Sequence, residues 1–297
     1  MLQRNASQIG FIGLGNMGGH MASNLINFGH KLHVYDISNK ACKDLETKGA
    51  VVYSKTSDLA KNSEFVFSML PNNSVVDASY DEIISYGFNK PTIFIDSSTI
   101  SPKLAKSLQK RISSKGGRFL DAPVSGGVPG AEQATLTFMV GGFENDFKTV
   151  ERILQCMGKR IIYCGSHGMG QAAKLCNNMM LAISMLGVSE TMNLAVRQGL
   201  SPKVFAEILN SSTGRCWTSE FYNPVPGISP STQTNKVPIS LINKDLELVA
   251  NVARSVNSPI PMGLLTHKIY SSLISQGLGG RDFSDVYDLM EKENFSY

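Results

Sequence analysis

Lys174 stands four residues before Asn178 in the segment Gly165-Ser-His-Gly168-Met-Gly170-Gln-Ala-Ala-Lys174-Leu-Cys-Asn177-Asn178. Three glycines open a stretch without proline, so a helix is expected to start there, and residues four apart on a helix share a face. An amine and an amide on one face can converge on one small polar ligand. The amine can exchange a proton and the amide can hold an oxygen. Asn177, three residues after the lysine, competes with Asn178 for the second role. The alternative fate of Lys174 is a solvated helix lysine. Its neighbours Ala172, Ala173, Leu175 and Cys176 read as buried.

A second chemistry-bearing stretch lies near the start. Gly13-Leu14-Gly15-Asn16-Met17-Gly18 follows an apolar run and precedes a helical one, the Gly-x-Gly-x-x-Gly pattern of a dinucleotide site. Gly13 permits the tight turn, Gly15 lets backbone approach a pyrophosphate, and Gly18 allows close helix–strand packing. The helix start then offers N–H groups to the phosphates. The next apolar run ends at Asp36, whose carboxylate can accept hydrogen bonds from ribose hydroxyls and would repel a 2′-phosphate. Ile37 and Ser38 bring no arginine to receive one, so the cofactor is expected to be NAD rather than NADP.

Two further strand ends should face the same crevice. Leu70 and Pro71 could wall the cofactor or simply begin a loop. Thr99 could reach the nicotinamide or serve the cap that Ser101-Pro102 calls for. In Asp121-Ala-Pro-Val-Ser125-Gly126-Gly127, small residues and one hydroxyl leave backbone N–H groups open, a cradle for a carboxylate. A hydrolase reading of Ser125 fails because Pro123 stands where the nucleophile elbow needs glycine.

These motifs, with Asp96-Ser-Ser-Thr99, Met139-Val-Gly-Gly142 and Lys244-Asp245-Leu246, make the chain resemble the β-hydroxyacid dehydrogenase family over nearly its whole length. The resemblance implies a Rossmann domain followed by an all-helical domain. It makes Lys174 the catalytic residue, gives substrate to Ser125, Gly126, Gly127 and Asn178, and puts Lys244 by the cofactor and active site. It also implies a homodimer or homotetramer in the mitochondrial matrix, with a cytoplasmic location as the alternative. Gly214-Arg-Cys-Trp217 and Tyr222-Asn-Pro-Val-Pro-Gly227 point, within the family, to oxidation of (S)-3-hydroxy-2-methylpropanoate to methylmalonate semialdehyde, a step of valine breakdown. The rivals are a reductase of tartronate semialdehyde on the same scaffold and a relative that binds NAD without catalysis. The presence of Lys174 speaks against the latter. Trp217, the only tryptophan, either lines the substrate pocket or packs in the core. One departure from the family stands out: Ala134 occupies a position where glycine is usual, and a positive φ there would strain it.

The elements that must position these groups follow from the apolar pattern. Strands are expected at 9–13, 32–36, 65–70, 92–96, 119–121, 136–140 and 160–163, and helices at 17–28, 40–48, 103–114 and 145–155. Alternation of this kind implies an α/β fold, a mostly parallel doubly wound sheet with helices on both faces. Past residue 163 only helices are expected: 170–198, a rod of roughly 45 Å, then 202–210, 242–256 and 262–276, with 223–237 irregular. A nucleotide domain of 1–164 and an all-α domain of 165–297 result, with Lys174 at the seam.

Composition excludes other classes. The 297 residues are 42% hydrophobic and 18% charged, with a net charge of +4 and no basic block, so neither disorder nor a nucleic-acid partner is expected. The five cysteines never form Cys-x-x-Cys and the histidines show no metal-ligand spacing, so no metal is expected. No apolar run is expected to reach membrane-spanning length. A small 3-hydroxy acid is the expected partner.

Overall fold

The computed structural model describes residues 6–89, 91–229 and 237–292. The chain divides into two compact units, Met1–Lys174 and Leu175–Tyr297.

The first unit runs β1 (Gln8–Ile12), α1 (Gly18–Asn27), β2 (Lys31–Tyr35), α2 (Asn39–Glu46), β3 (Val51–Val52), α3 (Thr56–Lys61), β4 (Phe65–Ser68), α4 (Asn73–Tyr86), β5 (Ile93–Asp96) and α5 (Pro102–Ser114). It continues through β6 (Arg118–Asp121), β7 (Val124–Ser125), α6 (Gly127–Glu132), β8 (Leu136–Gly141), α7 (Glu144–Leu154) and β9 (Gly158–Gly165). The strands order as β3-β2-β1-β4-β5-β6-β8-β7, with β9 also beside β8. The first six pair in parallel, and β8 lies antiparallel to β6 and β7. Central strands β1, β4 and β5 are nearly continuous Ile, Val and Phe because both faces are covered. One face packs Phe11, Phe67 and Ile95 under α1; the other packs Val66, Phe94 and Phe119 under Tyr80 of α4 and Leu108 of α5.

Winding reverses between β1 and β4, so the loops after these strands open a crevice at their carboxyl ends. Helix starts are fixed there by side chains. Asn72 accepts from the Val75 N–H to begin α4, and Ser101 accepts from the Leu104 N–H ahead of Pro102 in α5.

In the second unit, α8 (Met169–Arg197, begun in the first unit) is followed by α9 (Pro202–Ser211), α10 (Trp217–Phe221), α11 (Ile239–Ser255), α12 (Pro261–Ser275), a 3₁₀ turn (Phe283–Asp285) and α13 (Val286–Glu291). Ala182, Met185 and Leu186 of α8 pack with Ile239, Ile242 and Leu246 of α11 and with Tyr270 and Leu273 of α12.

All seven expected strands and eight expected helices are present with ends shifted by a few residues. Helices α3, α4, α6, α10 and α13, the 3₁₀ turn and the two-residue strands β3 and β7 were not expected. Helix α4 hid behind Pro71-Asn72-Asn73-Ser74, which reads as loop, although Val76, Tyr80 and Ile83 give it a buried stripe. The irregular expectation at 223–237 applies to 223–229 and Val237, while 230–236 lie outside the described residues. The expectation about membrane-spanning length is corrected. Among the described residues α8 is long and apolar enough by length and composition, with a window of mean hydropathy 1.4. Its Ala182, Met185 and Leu186 are core residues of the helical unit, the ordinary use of such a helix.

Candidate active site

Each glycine of the first motif has a separate physical reason. Gly13 has φ +91°, and a Cβ there would overlap the Met69 carbonyl. A Cβ on Gly18 would overlap the Gly13 carbonyl, so α1 packs directly on the turn. Gly15 has open space where its Cβ would be, and no side chain caps α1. An uncapped helix start beside an open glycine fits a pyrophosphate. Asp36, half-buried at the end of β2, accepts from the Leu14 N–H at 2.6 Å and from the Ser38 N–H at 2.7 Å. It therefore also holds the glycine loop, a role its position in the sequence did not disclose.

The next two loops are tied to each other. The Ser98 hydroxyl accepts from the Leu70 N–H at 2.8 Å and donates to Asp96 Oδ1 at 2.7 Å. Asn73 Oδ1 accepts from the Ser101 N–H at 3.0 Å. Leu70 and Thr99 are half-buried and Pro71 is exposed. Asp96 is fully buried and also accepts from the Ser68 hydroxyl at 2.7 Å. Burial foremost, with the neighbouring Asp121 adding, pushes its carboxyl up to about 7 against the opposing hydrogen bonds.

Asp121, level with Asp96 on the adjacent strand, anchors the start of α8. Its carboxylate accepts from the Gly168 N–H at 2.7 Å and the Gln171 N–H at 3.0 Å. Burial raises it to about 6 although these bonds pull the other way. A Cβ on Gly170 would overlap the Met139 carbonyl, and one on Gly141 would press on the Asp121 carboxylate. The second glycine motif thus lets α8 begin hard against the sheet. His167 Nε2 donates to the Phe119 carbonyl at 2.9 Å, and burial lowers the imidazole pKa.

Gln171 is fully buried. Its Nε2 donates to the Ser98 carbonyl at 2.8 Å and its Oε1 accepts from the Ile100 N–H at 3.0 Å. One turn on, Lys174 is 9% exposed. Neither Asp121 nor Gln171 was singled out from the sequence. A lone amide among glycines and alanines at the helix start was the available signal.

Ser125 is half-buried and lies in β7 opposite Thr137, not in an open loop, because the chain turns back there onto β8. Gly126 and Gly127 are exposed with φ +135° and +63°. Ala134 has φ +55°, so the condition under which an alanine is strained at that position is met.

Within the second unit, Asn178 is buried and Asn177 exposed. Asn178 Nδ2 donates to Asp245 Oδ2 at 2.6 Å, and Asp245 Oδ1 pairs with Lys244 Nζ at 3.1 Å. Asp245 thus orders an amide and an ammonium that the sequence reading treated separately. Cys176, expected to be buried, is exposed. Trp217 is 52% exposed and stacks on Tyr222 with ring centres 5.6 Å apart, which removes the core alternative. No cluster of metal-ligating side chains occurs among the described residues.

Comparison with known proteins agrees with this geometry. Residues 8–165 match the family model described as the NAD binding domain of 6-phosphogluconate dehydrogenase. Residues 168–290 match that described as NAD-binding of NADP-dependent 3-hydroxyisobutyrate dehydrogenase. The chain is 68% identical to the mitochondrial 3-hydroxyisobutyrate dehydrogenase of Drosophila melanogaster, covering 99% of this chain and 92% of that one. It is 45% identical to the human mitochondrial protein of the same name, covering 96% and 87%. Among solved structures, the Mycobacterium tuberculosis 3-hydroxyisobutyrate dehydrogenase with L-serine superposes with a TM-score of 0.90 at 36% identity, covering 96% and 99%.

Proposed function

The chain belongs to the 3-hydroxyisobutyrate dehydrogenase family, and on that premise we propose that it oxidises (S)-3-hydroxy-2-methylpropanoate to methylmalonate semialdehyde. It is an NAD-dependent oxidoreductase. Asp36, a carboxylate where a 2′-phosphate would need a cation, supports NAD over NADP. Bound NAD supplies the acceptor for the hydride that leaves the hydroxyl carbon.

The protein's own groups do the rest. Lys174 takes the hydroxyl proton during oxidation and returns it to the aldehyde oxygen in reverse. Asn178, its amide oriented by Asp245, holds the reacting oxygen. Ser125, Gly126 and Gly127 hold the substrate carboxylate. The loop 13–18, Asp36, Leu70, Pro71, Thr99 and Lys244 hold the cofactor. The observation that carries this reading is the buried Lys174 one turn after Gln171, on a helix start bonded to the crevice loops. Lys174→Ala tests it. Turnover should fall by about 100-fold or more while NAD binding survives, and near-normal turnover rejects the assignment.

The setting is valine breakdown in the mitochondrial matrix; curated relatives from Drosophila melanogaster to Dictyostelium discoideum carry mitochondrial names. The assembly is a homodimer or homotetramer. For domains of 1–164 and 165–297 the support is the end of the last strand at Gly165, and the compact units divide ten residues later, after Lys174.

A further inference from the structure

We propose that Gln171 is a positioning residue for the oxidation, fixing the Thr99 loop to the helix turn that presents Lys174. This rests on Lys174 being the base. Gln171 bonds both neighbours of Thr99, the Ser98 carbonyl and the Ile100 N–H, through the two ends of one amide. Its backbone N–H is bonded to Asp121 on β6. One residue therefore joins α8 to the ends of two strands. Ser98 in turn accepts from Leu70, so the loop after β4 belongs to the same network. Any shift of the Thr99 loop reaches Lys174 through one helical turn.

At pH 8.5 an amide supplies both halves of this bracket. An ionised carboxylate lacks the donor for the Ser98 carbonyl, and a thioether has no donor and only a weak acceptor. Asparagine is one methylene short. A buried carbonyl and N–H left unpaired would drive the loop to rearrange. Reactions that need aligned donor and acceptor lose about 100-fold from a displacement near 1 Å.

Gln171→Glu and Gln171→Met test the proposal, with substrate deuterated at the hydroxyl carbon. At pH 8.5 both should lose at least about tenfold in kcat with KM for NAD and hydroxy acid within about threefold. The deuterium effect on kcat should rise as misaligned hydride transfer becomes limiting. In Gln171→Glu, relative to wild type at each pH, kcat should recover towards pH 6. Full burial, with Asp121 on the Gln171 N–H and Asp96 behind Ser98, favours a protonated acid there, which regains the missing donor, while a proton on Lys174 would oppose this. Gln171→Met should not recover. Should Gln171→Met fail to fold, the pH series of Gln171→Glu alone decides.

Wild-type kcat and isotope effect in the folded variants, whatever their melting temperature, would overturn the positioning role. So would equal recovery of both variants at low pH. Lys174→Ala run in parallel separates the two readings. If it turns over normally, the base assignment fails, and the isotope effect of the Gln171 variants still judges the bracket.

Discussion

Asp96 and Asp121 sit level with each other at the ends of neighbouring parallel strands, both fully buried. Each holds a different piece of the crevice. Asp96 fixes Ser98, and with it the Leu70 turn; Asp121 fixes the first turn of α8. Two acids side by side in the sheet order both the dinucleotide loops and the helix start.

Their titration makes stability depend on pH. The folded pKa values, about 7 for Asp96 and about 6 for Asp121, lie above that of a free aspartate. The folded state therefore binds more protons, and the stabilisation is present in full below about pH 4 and is lost as pH rises through 6 to 7. Thermal melts should show a melting temperature that declines from pH 5 to pH 8. Asp96→Asn cannot titrate and should flatten that decline. Equal slopes for the two proteins would contradict the assignment.

Asp36 has two tasks that different substitutions separate. Asp36→Ala loses the bond to the Leu14 N–H and the charge, so NAD affinity should drop about tenfold or more, the scale of a charge-assisted bond. Asp36→Asn keeps an acceptor for Leu14 but not the repulsion of a 2′-phosphate. It should retain more NAD affinity than the alanine variant while narrowing the preference over NADP. Titrations with both cofactors measure this, and an unchanged preference in Asp36→Asn refutes the charge argument.

The parts of the site that the sequence made legible are those carried by local rules. The 13–18 turn, Asp36 at a strand end and the Ser101-Pro102 cap each follow from neighbours in the chain. Asp121 and Gln171 escaped because their partners lie 47 to 73 residues away in sequence and meet only when β5, β6 and α8 assemble. Asp245 escaped similarly, since its bond to Asn178 depends on α11 lying beside α8. The strand that holds Ser125 escaped because two residues carry no periodicity to read.

Ala134 holds a left-handed backbone that favours glycine. That conformation costs an alanine roughly 1–2 kcal/mol, while glycine gains unfolded-state freedom worth roughly 0.4–1 kcal/mol. Ala134→Gly should therefore stabilise the protein by about 0.5–1 kcal/mol, with little change in turnover. Urea unfolding reads the difference, and a destabilised variant would show that the alanine methyl has a compensating contact.

Trp217 offers an optical test of the segment that distinguishes substrates. It is the only tryptophan, so all tryptophan emission comes from one indole that is 52% exposed and stacked on Tyr222. An indole in that state responds strongly to a molecule that covers it, because loss of water contact and a nearby quenching group both change emission. Should Trp217 line the substrate pocket, saturating 3-hydroxyisobutyrate in the presence of NAD changes the emission along the same isotherm that governs turnover. Trp217→Phe, which keeps a ring to stack on Tyr222, should hold KM for the acid within about threefold, whereas Trp217→Ala should raise it about tenfold, the loss of one aromatic contact and its buried area. Unchanged emission together with an unchanged KM in the alanine variant would assign Trp217 to the outer surface instead.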